Sequence, residues 1–160
     1  MVTIAWQDQD ELFSRKPHLR IYESRVLMVV LCQGGAQHYL DHINGVKDLD
    51  VYTFYASHPE REYPARRRGT ADFGASQLGR HPDDHGYDGR RVDLMGRSLK
   101  VSPDHDPVDA VQSYLMNQST STAWHLSQKA VIALDPPSLF GTTIWPSASS
   151  AGDGNIGSDA

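Results

Sequence analysis

A single cysteine, Cys32, is present, so no internal disulfide can form, and a reducing compartment, the cytoplasm, is the expected setting. Long hydrophobic runs are missing too. The longest, Val26–Cys32, falls far short of the ~20 apolar residues of a membrane-spanning helix, and no membrane partner is expected. The N-terminal MVTIAWQDQDELF lacks a basic segment followed by an apolar one, so no signal peptide is expected. Positive charge is in deficit: the formal net charge of -5 argues against non-specific nucleic-acid binding through the whole surface and leaves room only for a local basic groove. No internal repeat is visible. What remains is an ordinary globular composition, 39% hydrophobic and 22% charged over 160 residues, enough chain for one domain.

Pro17 interrupts any helix across the charged stretch 8–24. The Val-rich run from Val26 to Leu31, ending at Gly34-Gly35, predicts a strand buried on both faces, with a buried helix segment as the alternative. AQHYLDHIN then predicts a helix that stops at Gly45. From Asp48 to Tyr55 the pattern alternates: Leu49, Val51, Thr53 and Tyr55 point one way, Asp48, Asp50, Tyr52 and Phe54 the other. Residues 56–90, rich in Gly, Pro, His and Arg and without periodicity, predict a long functional loop bordering a cleft. A second strand follows at Arg91–Leu99, with Val92 and Leu94 flanking Asp93. In DHDPVDAVQSYLMNQ, Asp106 can cap a helix, Pro107 suits its first position, Asp109 favours its N-terminus, and Val108, Val111 and Leu115 form a buried stripe. A last helix over about Thr122–Leu134 places Trp124, Val131 and Leu134 near one face and stops before Pro136-Pro137. The small polar residues 147–160 predict a disordered tail. The fold class is therefore α/β (α+β): one domain over 1–146, with a sheet and flanking helices.

The chemistry concentrates between Gly34 and Asp93. Gly34 and Gly35 let the backbone approach a ligand and supply N–H groups at a helix N-terminus, where the dipole favours phosphate. Asp48 and Asp50, two apart on a strand, project from one face. Such carboxylates can share hard divalent cations, and two ions about 4 Å apart stabilise the attacking and leaving oxygens of an in-line phosphoryl displacement. Asp93, a carboxylate inside an apolar strand, needs a comparable reason to be there.

The string QGGAQHYLDHINGVKDLDV, with Gly34-Gly35 ahead of Asp48-Leu49-Asp50, resembles the signature of the nucleotidyltransferase superfamily that includes DNA polymerase beta. It looks most like the version in tRNA-nucleotide-adding enzymes and poly(A) polymerases. The resemblance covers residues 26–99 and implies a nucleotidyltransferase-like mixed sheet with Asp48, Asp50 and Asp93 as catalytic, metal-binding carboxylates. It further implies two magnesium ions, with manganese as a substitute, and transfer of a nucleotidyl group from a nucleoside triphosphate such as ATP. The acceptor is left open among a small molecule, a protein side chain and an RNA end. Gly34 and Gly35 would bind the triphosphate, joined by Lys129, since superfamily members often present a helical Ser or Lys to it. The alternative is a non-catalytic nucleotide-binding or regulatory module of the same fold, working with a partner protein.

Other features have weaker readings. His38 and His42, and His81 and His85, share the four-residue spacing of zinc ligands, which keeps open a metal-dependent hydrolase, but HYLDH lacks the glutamate of the HExxH pattern. Arg66-Arg67-Arg68 is either a phosphate clamp or a solvated run. Trp124 reads as core rather than a stacking platform, and Cys32 as a small core residue.

Overall fold

Val26–Cys32 forms β1 near the middle of a six-stranded sheet, and its residues from Leu27 onward are all buried. The computed structural model describes residues 1–43, 46–64, 68–72 and 91–146. Within them the strands are β1, β2 (Leu49–Ala56), β3 (Arg68–Asp72), β4 (Arg91–Leu99), β5 (Val131–Asp135) and β6 (Thr143–Trp145), in spatial order β3-β4-β2-β1-β5-β6. β2 and β4 run parallel, and the other neighbours are antiparallel. A mixed sheet, which the resemblance implied, is thus present.

Strand parity decides what lies on each side. Val29, Leu31, Leu49, Val51, Val92 and Leu94 pack beneath α1 (Val2–Arg15) and α2 (Gln33–Asp41), represented in that cluster by Ala5 and Ala36. Met28, Val30, Phe54 and Leu99 meet Val111, Leu115 and Leu126 of α3 (Pro107–Asn117) and α4 (Ser121–Ser127). The domain is therefore a single α/β unit with helices on both faces of the sheet. α3 starts as its sequence predicts: the Asp106 carboxylate accepts from the amides of Val108 and Asp109, both at 2.9 Å, and Pro107 opens the helix. Val111 and Leu115 are buried, with Ala110 beside them, and Val108 is half-buried.

Several expectations change. α1 was not legible in advance, yet its buried Ala5, Gln9, Leu12 and Phe13 recur at helical spacing, and it ends one residue short of Lys16-Pro17. A 3-10 helix, Pro17–Arg25, follows. α2 stops at Asp41, where His42 takes a left-handed conformation at φ 56°, ahead of the expected stop at Gly45, which lies outside the described residues. The predicted 56–90 loop contains β3, which pairs along the outer edge of β4; residues 65–67 and 73–90 lie outside the described residues. The helix expected over Thr122–Leu134 is wrong in its second half. α4 ends at Ser127, and Val131–Asp135 is a strand against β1. The β-branched Val131 and Ile132 fit a slot beside β1 where their backbone completes the sheet, so tertiary pairing overrides the helical pattern. Trp124 is half-exposed at 49%, and not core as expected. The predicted tail, 147–160, lies outside the described residues. No helix among the described residues is long and apolar enough to cross a membrane.

Candidate functional site

In the parallel pair of β2 and β4, Asp50 stands opposite Asp93. Register partners in a parallel pair point to the same face, and neighbouring strands lie about 4.8 Å apart, so these carboxylates are lateral neighbours. Asp48 lies just before β2 begins at Leu49. Asp93 is 2% exposed, whereas Asp48 and Asp50 are half-buried. Thr70 of β3, the partner of Asp93 across the other edge of β4, has Oγ1 3.4 Å from Asp93 Oδ1 as a donor.

Arg91 ties the group together. Its Nη2 donates to Asp48 Oδ2 at 3.0 Å, and its Nε lies 3.7 Å from Asp93 Oδ1. The hydrogen bond to Asp48, and after it the charge of Asp93, push the Arg91 guanidinium still further towards its charged form. Sequence reading missed this residue, although the signal was available: two positions before Asp93 on one strand, Arg91 must share its face. Among the described residues no three His, Cys, Asp or Glu side chains converge to hold one metal ion. The guanidinium is the cation lying between Asp48 and Asp93, so a metal at those oxygens requires Arg91 to move aside. The donor set is nevertheless carboxylate oxygen that already attracts positive charge, and it suits a hard divalent ion chemically.

The turn into α2 reaches the same end of the sheet. Cys32, the last residue of β1, is the register partner of Asp50. Burial first, then the Asp50 charge, pushes the Cys32 thiol well up, so it stays protonated and serves as the small core residue expected. Gln33 has φ 58°, a left-handed conformation uncommon for a side-chain-bearing residue, and its Nε2 donates to the carbonyl of His125 at 2.9 Å. That bond pins the end of α4 to the turn. The two glycines then part company. A Cβ at Gly34 would meet nothing within 4 Å, so its backbone borders open space; a Cβ at Gly35 would come within 3.1 Å of Leu31 and 3.2 Å of Leu49. Gly35 is buried and serves packing, and Gly34 is the glycine whose surroundings can admit a ligand.

Lys129 is not helical. It lies exposed in the connection between α4 and β5, two residues before Val131, which pairs with Cys32, and so enters at the carboxylate end of the sheet. The rings of His38 and His42 lie edge to face with centroids 5.8 Å apart; His81 and His85 fall outside the described residues. Arg66 and Arg67 fall outside as well, and Arg68 is described only as backbone of β3. Beyond Asp50 on β2, burial, with Cys32 and Asp50 adding to it, pushes the Tyr52 phenol up to about 12. No family model, curated protein or solved structure matches the chain.

Proposed function

We propose that this chain is a nucleotidyltransferase, with a nucleotidyltransferase-like fold, that moves a nucleotidyl group from a nucleoside triphosphate to an acceptor hydroxyl. The observation that carries this reading is the register of β2 and β4, which sets Asp50 beside Asp93 on one face, with Asp48 bridged to Asp93 through Arg91. Asp48, Asp50 and Asp93 would hold magnesium, which when bound neutralises charge on the triphosphate and supports in-line displacement. The acceptor oxygen forms a bond to the α-phosphorus, the bond from that phosphorus to the bridging oxygen breaks, and pyrophosphate leaves with the electron pair. Asp93, buried beside Asp50, accepts the hydroxyl proton. The backbone at Gly34 receives the triphosphate, and Lys129 adds a positive charge at the same end of the sheet. Arg91 releases Asp48 and Asp93 when the metal arrives.

A second reading keeps the nucleotide and drops the turnover. The ion pairs from Arg91 favour it, because they offset part of the charge of Asp48 and Asp93 without any metal. The two are separated by incubating the purified chain with magnesium and α-labelled nucleoside triphosphates. Metal-dependent release of pyrophosphate, abolished in Asp48→Asn/Asp50→Asn, supports transfer. Nucleotide binding without pyrophosphate release supports the regulatory module.

A further inference from the structure

The face of β4 that carries Asp93 also carries a second fixed charge. Arg97 follows Asp93 by four residues and so lies on the same side of the sheet, about 13 Å further along at ~3.3 Å per residue. Its Nη1 donates to Thr120 Oγ1 at 3.2 Å and its Nη2 to Thr122 Oγ1 at 3.1 Å. Its guanidinium carbon stands 5.6 Å from the ring centre of Tyr114, whose hydroxyl is 3.0 Å from Thr120 Oγ1. These contacts hold the guanidinium in place without neutralising it. Among the described residues no carboxylate pairs with Arg97, although it is half-buried, and a partly desolvated charge is ordinarily matched by an opposite one. The threonines take one donor from each terminal nitrogen and leave the rest of the fork available.

Arg97 lines a cleft of about 490 Å³ beside α3, together with Lys100, Ser113, Thr120 and Glu62. That volume suits a small molecule. A prepositioned guanidinium, a lysine in the same lining and hydroxyl donors suit the several oxygens of a phosphate better than the two of a carboxylate, because a phosphate can accept from more donors. Glu62, the one acidic residue among the described residues of the lining, can accept from hydroxyls elsewhere on the ligand. We infer that this cleft is a separate site that binds a small phosphate monoester anchored at Arg97, at the end of the sheet opposite Asp50 and Asp93. The inference rests on the cleft alone and is independent of the nucleotidyl-transfer reading.

Calorimetric titration of the full chain with inorganic phosphate, and separately with acetate, tests it. Phosphate should bind saturably and acetate more weakly. Arg97→Gln should weaken phosphate binding by ~10-fold or more, and Lys100→Gln by a few-fold, as expected for lost charge-assisted hydrogen bonds. Asp48→Asn/Asp50→Asn should leave phosphate binding unchanged. Lys100 is exposed, so its variant carries the test if Arg97→Gln does not fold. Absence of saturable phosphate binding, acetate binding as tight as phosphate, or wild-type affinity in both cation variants overturns the cleft assignment. Nucleotidyl transfer without phosphate binding overturns the cleft assignment alone. Phosphate binding at Arg97 in a protein that transfers nothing leaves the cleft assignment standing and overturns only the transfer reading.

Discussion

At the end of the sheet where Val26, Tyr55 and Leu99 lie, the chain closes on neutral aromatic rings. Tyr22 and Tyr55 meet edge to face at 5.6 Å, Tyr22 and Tyr63 at 5.2 Å, and Tyr55 stacks on Tyr63 at 4.5 Å. All three are buried, and Phe13 and Leu19 join them. At the opposite end of the same strands stand Cys32, Asp50 and Asp93, with Arg91, the strained Gln33 and the open backbone of Gly34. Beneath α1 one end is packed with neutral rings; the other gathers Asp48, Asp50, Asp93 and Arg91. The strands are continuous, so rigidity supplied at the tyrosine end fixes where the carboxylates point. If the proposed transfer takes place, stability and chemistry lie at different ends of one sheet, and substitutions should separate them.

The largest effect is expected at the charged end. Asp48→Asn/Asp50→Asn should lower transfer by roughly 10³-fold or more while the protein stays folded. In melting curves, magnesium at a hundred times its dissociation constant should stabilise wild type by about 2.7 kcal/mol and leave the double variant unmoved. An equal response from both proteins would remove Asp48 and Asp50 as ligands. Carboxylate repulsion alone would make the metal-free variant the more stable one, but Arg91 already offsets that repulsion, so no gain is expected without metal.

Next comes the tyrosine end. Tyr63→Ala should cost about 3–5 kcal/mol in urea denaturation, as expected for a large buried ring, with the magnesium response kept in the folded fraction. Gly96 supports the same ring: a Cβ there would lie 2.7 Å from Tyr63, so Gly96→Ala should cost about 1–3 kcal/mol. A loss of metal response at full folding in either variant would show that the two ends are not independent.

Between the ends, Tyr52 gives a pH signature. Its folded-state phenol titrates near 12 and the unfolded one near the usual 10, so its contribution to stability is full below pH 10 and is lost as pH rises towards 12. Tyrosinate absorbance should lose a late-titrating component in Tyr52→Phe; an unchanged titration would refute the assignment. The smallest effect is expected for Arg91→Gln. Its ion pair with Asp48 is 46% and 30% exposed at the two side chains, so stability should fall by less than about 1 kcal/mol. Magnesium should bind the variant more tightly, because a competing cation has gone; weaker binding would make Arg91 a helper of the ligand rather than a rival.

Residues with strong local signals were legible in advance. Val26–Cys32 reads as a buried strand because nothing in it tolerates water, and the alternation at Asp48–Tyr55 places both its faces. Asp106-Pro107 starts α3 by hydrogen bonds confined to adjacent residues. The placement of Asp93 beside Asp50 agrees with strand parity, but parity alone did not say that β2 and β4 are neighbours or parallel. β5 was misread because Val131–Asp135 is apolar enough for either element, and only the vacancy beside β1 selects a strand. Lys129 changed position with it. The roles of Gly34 and Gly35 likewise diverge through Leu31 and Leu49, which lie elsewhere in the chain.

The sequence by itself determined where the carboxylates lie along their strands, which faces are apolar and where α3 begins, because these depend on side-chain period and on bonds between near neighbours. Tertiary structure alone decided that Arg91 bridges Asp48 and Asp93, that Arg97 pairs with no carboxylate among the described residues, and that Gln33 grips α4. Those outcomes depend on which distant segments become neighbours, and that is set by the packing of the whole sheet against its helices.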